Sequence, residues 1–175
     1  MSTFFPPVAR WHLPEAVVSG SFAEMARDGE QGNEGVALWL GQRQGGDAVV
    51  THLVALRGPG VRKGPRLLSV EPWLINEVTD LAIELEVALV GQIHSHGRGW
   101  VDMSPTDRTE GIAVPHYLSV IAPWFALRPG TGLVDCGVHI FESGDGWRRL
   151  SPSEVQTRLC VVSGGQVPLI SIGEE

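Results

Sequence analysis

Cysteine is scarce in this chain of 175 residues, which contains only Cys136 and Cys160. The two are far apart and form no Cys-x-x-Cys pair, so the sequence excludes a disulfide-rich scaffold. It also excludes the Pro-Cys-x-x-Cys motif of the zinc nucleobase deaminases. Both cysteines lie in apolar runs typical of strands, and we expect reduced core residues.

Positive charge is also scarce, with 13 Lys and Arg against 20 Asp and Glu, a net charge of −7 at pH 7. Proteins that bind nucleic acids need a basic face for the phosphates. We therefore expect no nucleic-acid partner.

Long apolar runs are absent as well. A membrane-spanning helix needs about 20 apolar residues, whereas runs such as Val36–Leu40 and Val87–Val90 are far shorter. Residues 1–7 lack a basic region followed by an apolar stretch, so we expect no signal peptide, no membrane span and a cytoplasmic location. The length and the 43% apolar content predict a single globular domain over residues 1–175.

Apolar spacing and turn residues predict two main helices, residues 14–27 and 71–86. A third, poorer helix is predicted over residues 106–115. Strands are predicted at residues 34–41, 48–56, 67–70, 87–95, 117–122, 137–142, 147–150 and 158–162, and loops at residues 57–66 and 96–105. This order predicts an α/β or mixed α+β domain, with a mostly antiparallel sheet flanked by the two main helices.

The strongest candidates for metal ligands are His94 and His96, at the end of a predicted strand. Their spacing places both imidazoles on one face of that strand. Asp107 can add a third ligand from the following loop, and three protein ligands with one open position are typical of a catalytic zinc site. Such a site lowers the pKa of a bound water to about 7.

Each of these features also has an ordinary structural explanation. A His-x-His pair at a strand end is more often surface or packing chemistry. Ser104 followed by Pro105 and Asp107 has the pattern of a helix N-cap. The two interpretations are compatible, because a capped turn would hold an Asp ligand rigidly.

Other catalytic motifs are missing from the sequence. There is no His-Glu-x-x-His zinc-protease helix and no phosphate-binding or dinucleotide glycine motif. A thiol protease built from Cys136 or Cys160 with His116 or His139 has no supporting local context. We expect structural or surface roles for four of the histidines: His12, His52, His116 and His139.

The spacing from His94 through Ser95, His96 and Ser104 to Asp107 resembles the signature of the JAB/MPN metalloprotease family, also called JAMM. Members of this family also have a Glu before an apolar strand that ends in Gly, and residues 34–41 (EGVALWLG) are similar to that element. The resemblance covers roughly residues 14–142 and implies the MPN/JAB fold. One departure is Gly97, where many members have Pro, so substrate fit stays open.

The resemblance implies a role for each of these positions. His94, His96 and Asp107 would bind one zinc ion per chain, Glu34 would be the general base, and Ser104 would stabilise the oxyanion. From the residues alone, other glutamates could equally be the base, namely Glu24, Glu30, Glu71, Glu84 and Glu86. Trp100 would either cover the substrate channel or pack on its own loop.

By the same resemblance, the chain would be a zinc peptidase or isopeptidase that cleaves after the C-terminal Gly of a ubiquitin-like protein. It is similar to stand-alone bacterial JAB proteins of ubiquitin-like conjugation and antiphage operons. The partners would then be a ubiquitin-like protein or its conjugates, with E1- or E2-like proteins. Alternatives are processing of a sulfur-carrier protein, a phage-tail peptidase, and a scaffolding MPN domain without metal. Scaffolding domains usually lack one or more ligands, and this chain keeps all of them.

Overall fold

The computed structural model describes residues 6–173 as four helices joined to a large sheet. The helices are α1 (Glu15–Gly29), α2 (Pro72–Glu84), α3 (Pro105–Glu110) and α4 (Pro152–Arg158). The strands are β1 (Arg10–Pro14), β2 (Val36–Gln44), β3 (Asp47–Leu56), β4 (Val61–Gly64), β5 (Leu67–Val70), β6 (Ala88–Ser95), β7 (Leu118–Ala122), β8 (Gly137–Glu142), β9 (Gly146–Arg149), β10 (Leu159–Val162) and β11 (Leu169–Ile172).

The main sheet has the strand order β10-β1-β3-β2-β6-β7-β8-β9, and β11 adds to β3. Four pairings are parallel, namely β1 with β10, β1 with β3, β11 with β3, and β6 with β7. The other four are antiparallel. The mixed α+β class is confirmed, but among the described strands the main sheet is evenly divided between parallel and antiparallel pairings, so the expectation that it is mostly antiparallel is wrong. Three of the parallel pairings come from strands near the chain ends: β1 pairs with β3 and β10, and β11 pairs with β3. Local sequence does not encode pairings between segments so far apart.

The central strand β2 is buried on both faces. Ala37 and Trp39 belong to one core cluster, to which α1 contributes Val17 and Met25. Leu38 and Leu40 belong to the other cluster, which contains Leu74 and Val78 of α2. Because a helix covers each face, Val36–Leu40 is a continuous apolar run and not an alternating one. The expectation of two main flanking helices is therefore confirmed.

Four elements were missed by the sequence prediction. Strand β4 lies in a segment predicted as loop, and β1 and β11 are short strands near the chain ends. Helix α4 has a local signal that could have been read, because Ser151, Pro152 and Glu154 form a capping box like that of α3. No helix among residues 6–173 combines the length and the apolar character that crossing a bilayer requires.

The carboxylate of Glu24 ties α1 to the sheet. Its two oxygens accept hydrogen bonds from Arg57 Nε at 3.1 Å and Nη2 at 3.0 Å, and Arg27 Nη1 lies 3.3 Å away. Burial raises the pKa of Glu24, but the hydrogen bonds and charges of Arg57 and Arg27 outweigh it, so the pKa lies below its ordinary value.

Glu24→Gln should lower the free energy of unfolding at pH 7 by about 2–4 kcal/mol, because the neutral amide no longer balances the half-buried guanidinium charge of Arg57. Denaturant titration measures this, with the exposed Glu15→Gln as the control expected to change stability by about 0.5 kcal/mol or less. The folded-state pKa is lowered, so the carboxylate stabilises above the ordinary pKa of Glu. That stabilisation is lost as pH falls through the lowered value. Equal stability of Glu24→Gln and wild type at pH 7 would contradict this role.

Candidate metal centre

The two histidines of the candidate centre lie at the end of a central strand. His94 is in β6, paired with Val36 of β2 on one side and with Ile121 of β7 on the other. His96 directly follows the strand, and its backbone N–H donates to the Ala122 carbonyl at 2.9 Å. Both side chains are buried, at 1% and 7% exposure. The sheet therefore holds both imidazoles rigidly.

Asp107 is brought to the histidines by the first turn of α3. Ser104 Oγ accepts the Asp107 backbone N–H at 3.1 Å, and Asp107 Oδ2 accepts the Ser104 backbone N–H at 2.7 Å. This capping box is the structure that the Ser-Pro-x-Asp pattern predicts. It fixes the carboxylate with Oδ1 3.5 Å from His94 Nε2 and Oδ2 3.3 Å from His96 Nε2.

The three side chains fit a tetrahedral metal ion. His94 Nε2 and His96 Nε2 lie 3.3 Å apart, and one carboxylate oxygen of Asp107 completes the group. Ligand atoms about 2.0–2.1 Å from a tetrahedral zinc ion lie about 3.3–3.4 Å from one another. Nitrogen and carboxylate ligands are those that zinc prefers. The three side chains are therefore close enough together to hold one metal ion.

The Nδ1 atoms of the two histidines have different surroundings. His96 Nδ1 lies 3.1 Å from the Trp100 carbonyl oxygen. That oxygen can only accept, so Nδ1 carries the proton and Nε2 presents its lone pair to the centre, as a ligating histidine requires. His94 Nδ1 is buried and has no hydrogen-bond partner among the described residues.

Glu34 lies beside the centre, immediately before β2. Its strand entry is held by Ser95, whose Oγ accepts the Gly35 backbone N–H at 2.9 Å, and by the Gly35 carbonyl, which accepts the Ser95 N–H at 2.9 Å. From the other side, the Glu34 backbone N–H donates to the Gly64 carbonyl of β4. No role was predicted for Ser95, although it stands between the two histidines. Its buried hydroxyl links Glu34 to the histidine strand.

Glu34 lines a cavity of about 410 Å³, which we call the Glu34 cavity. The cavity is lined by Glu34, Pro65, Arg66, His96, Gly97, Arg98, Trp100, Ser104 and Phe125. Glu34 is the only glutamate in this lining. Of the other glutamates considered, Glu24 is bound to Arg57, and Glu71 lies 3.7 Å from Arg62. The structure thus places one predicted base, the predicted oxyanion residue and one predicted metal ligand, His96, around one space.

The electrostatics of the two carboxyls differ. Burial raises the pKa of Glu34 above its ordinary value; the Asp107 charge acts in the same direction, and His96 and His94 oppose it. Burial also raises the pKa of Asp107, but its hydrogen bonds with His94 and His96 outweigh the burial and hold that pKa well below its usual range. One carboxyl is suited to exchanging a proton and the other to remaining charged.

Ser104 serves the capping box and faces the cavity as well. Its hydroxyl oxygen accepts the Asp107 N–H, which leaves the hydroxyl proton free to donate to another acceptor. The two interpretations of this serine, as an N-cap and as an oxyanion donor, are geometrically compatible.

The thiol alternative finds no support in the geometry. Burial raises the pKa of the Cys136 thiol to about 12, so a nucleophilic thiolate is disfavoured. Cys136 is half-buried against the core, and Cys160 is a half-buried residue of β10. His139 is fully buried, with Nε2 2.9 Å from Asp102 Oδ1, and His12 lies 2.9 Å from Asp47 Oδ2. Each of these two histidines is therefore hydrogen-bonded to an aspartate.

Aromatic residues form part of the cavity wall, and of these only Trp100 was considered from the sequence. Trp100 stacks on His96 with ring centroids 5.3 Å apart and also lines the Glu34 cavity. Trp124, Phe125 and Ala126 form a left-handed turn with φ of +57°, +55° and +58°. The Phe125 backbone N–H donates to the His96 carbonyl at 2.8 Å. No sequence signal marks this turn, because it depends on packing against the 97–99 loop.

Gly97→Ala should lower the cleavage rate at least tenfold while metal stays bound, because a Cβ at Gly97 would collide with the Phe125 ring. The ring must move, and Phe125 also donates its backbone N–H to the His96 carbonyl. Small displacements near a reacting centre can cost about 10²-fold. Gly132→Ala is the matched control, since φ is −133° there and a Cβ meets nothing within 4 Å. Metal content and cleavage rate should be measured together. Unchanged cleavage by Gly97→Ala would show that the contact is dispensable.

Comparison with known proteins identifies a curated relative over most of the chain. The chain is 30% identical over 156 residues to a protein of Sinorhizobium fredii (strain NBRC 101917 / NGR234) named "Probable metalloprotease y4jG". The match covers 86% of this chain and 93% of that protein. No family model matches the chain.

Among solved structures, the solution structure of protein DSY2949 from Desulfitobacterium hafniense superimposes with a TM-score of 0.65. It covers 90% of this chain and 94% of that chain at 16% identity, which shows a shared fold alone.

Proposed function

We propose that this chain, which belongs to the same family as the probable metalloprotease y4jG, is a metal-dependent peptidase. The observation that carries the proposal is a pair of imidazole Nε2 atoms 3.3 Å apart, each within 3.5 Å of an Asp107 carboxylate oxygen, beside a cavity that Glu34 and Ser104 line. Three protein ligands and a neighbouring carboxyl with a raised pKa are the arrangement that metal-assisted hydrolysis requires.

Zinc is the metal we propose, held by His94, His96 and Asp107. When bound, zinc would polarise the scissile carbonyl and lower the pKa of a water molecule. Glu34 takes the proton from the attacking water and returns it to the leaving nitrogen. Ser104 donates its hydroxyl proton to the carbonyl oxygen as that oxygen gains charge, a contribution worth about 10²–10³ in rate in other enzymes.

The finer assignment is a JAB/MPN enzyme that acts on the C-terminal tail of a ubiquitin-like protein. It is supported by the spacing from His94 to Asp107 and by the Glu34 strand. A second support is the hairpin of β4 and β5, which pair only with each other among the described strands. The turn of this hairpin lines the Glu34 cavity through Pro65 and Arg66. An extended tail can add to such an edge through backbone hydrogen bonds, which needs an unfolded segment.

The test compares ubiquitin-like proteins fused through their tails to a reporter with unrelated linear peptides, using zinc-loaded protein. Cleavage at the tail junction, faster than that of the same tail as a free peptide, is expected. Equal cleavage of unrelated peptides would replace the substrate assignment with a general peptidase. No cleavage of any substrate by protein with one zinc per chain would contradict peptidase activity.

A further inference from the structure

Two arginines, Arg66 and Arg98, line the Glu34 cavity. Arg66 follows the turn between β4 and β5, and Arg98 lies in the loop after His96. Neither side chain has a hydrogen bond or an ion pair with another described residue, whereas others in this chain, such as Arg57 and Arg158, are paired with glutamates. Both arginines are exposed, so in a protein of net charge −7 two guanidinium groups at one cavity are open to an acceptor from outside the chain.

The other residues that line the cavity indicate which kind of hydrogen-bond acceptor it can bind. Its only carboxylate is Glu34, which is 9% exposed and faces the candidate metal centre. Two aromatic residues also line the cavity: Trp100, which is 53% exposed, and Phe125, which lies beside Gly97. A guanidinium pairs best with a carboxylate, in a planar two-pronged contact, and aromatic faces accommodate the methylene groups of an acidic side chain.

Backbone hydrogen bonds fix the two segments that carry the arginines. The Trp124 backbone N–H donates to the Arg98 carbonyl at 3.1 Å. Arg66 precedes Leu67, which pairs with Gly64 in the hairpin. The hairpin end and the loop stand at the same cavity, one arginine on each.

We infer that Arg66 and Arg98 select a substrate with a carboxylate close to the scissile bond. This inference rests on the proposed function, since it assigns the substrate of the same site. The carboxylate comes either from an Asp or Glu side chain or from the end of the peptide chain, and both present the same group to the two guanidiniums.

The test uses full-length Glu34→Gln protein with zinc bound and fluorescent ten-residue peptides in a Gly/Ser/Ala background. One Glu, or one Gln in its place, is moved through each position, and each peptide is made with a free and an amidated C-terminus. Fluorescence anisotropy gives the affinity. At least one Glu peptide, or the free-terminus form, should bind about tenfold more tightly than its neutral match.

Adding Arg66→Gln or Arg98→Gln should remove that difference and leave the affinity of the neutral peptides unchanged. Arg62→Gln is the matched control, because Arg62 is on the same hairpin, outside the lining, and lies near Glu71. The double variant Arg66→Glu with Arg98→Glu should instead prefer a Lys peptide. Equal binding of charged and neutral peptides, or no binding of any peptide, would overturn the inference. So would an equal loss for both peptide classes in the arginine variants.

Cleavage of the same peptides by the wild type separates this inference from the proposed function. Cleavage without a preference for the carboxylate overturns the inference and leaves the peptidase assignment intact. Carboxylate-selective binding without cleavage of any peptide or fusion supports the role of the arginines and contradicts the peptidase assignment.

Discussion

Glu34→Gln should reduce the cleavage rate by about 10²–10⁴ while the protein keeps one zinc ion per chain. The amide has the shape of the carboxylate but cannot take a proton from water. Because Glu34 lines the cavity and is not one of the three clustered ligand side chains, metal binding should be untouched. The loss should appear mainly in kcat, since the proton is exchanged in the transition state.

The experiment measures zinc content and cleavage rate in the same preparations of wild type, Glu34→Gln and Glu30→Gln. Glu30 is the acid next upstream, at the C-terminus of α1, and its variant should behave as wild type. Near-native cleavage by zinc-loaded Glu34→Gln would remove Glu34 from the chemistry. Glu30 would then be the next proton acceptor to test.

His94→Ala, His96→Ala and Asp107→Ala should each lose most of the bound zinc and with it all measurable cleavage. Two remaining ligands make a weak site, because zinc sites in proteins have at least three. Asp107→Asn separates two roles of the aspartate, since its side-chain oxygen can still accept the Ser104 N–H of the capping box while the ligating charge is gone. It should therefore fold normally and still lose metal.

Metal analysis and thermal unfolding of the same samples measure this prediction. His52→Ala is the control: His52 is in β3 with its Nδ1 2.8 Å from Thr51 Oγ1 and should keep full occupancy. Full zinc content in the three alanine variants would show that the metal is bound elsewhere.

The sequence predicted the parts of the molecule in which spacing alone determines the geometry. Residues 94 and 96 share a face because strands have a period of two, and Asp107 is held by a cap formed within four residues of chain. The helices α1 and α2 were found because each carries a regular apolar face. In these cases the local pattern and the tertiary structure agree.

The cavity wall could not be predicted in the same way. Phe125 contacts Gly97 because β6 and β7 are parallel, which brings the loops that follow their C-terminal ends together. Arg66 reaches the site through the turn of a hairpin whose first strand, β4, looks like a loop in the sequence, because Gly and Pro precede it and stand at its turn. Contacts between residues so distant in the chain depend on the sheet order, which the sequence pattern leaves open.

Crystals of the zinc-loaded protein, measured on both sides of the zinc absorption edge, test the central claim most directly. The account predicts one strong anomalous peak per chain, within about 2.0–2.2 Å of His94 Nε2, of His96 Nε2 and of an Asp107 carboxylate oxygen. Its remaining position should face the Glu34 cavity. A fully loaded crystal with no anomalous peak among these three side chains, or with its peak at other residues, would contradict the account.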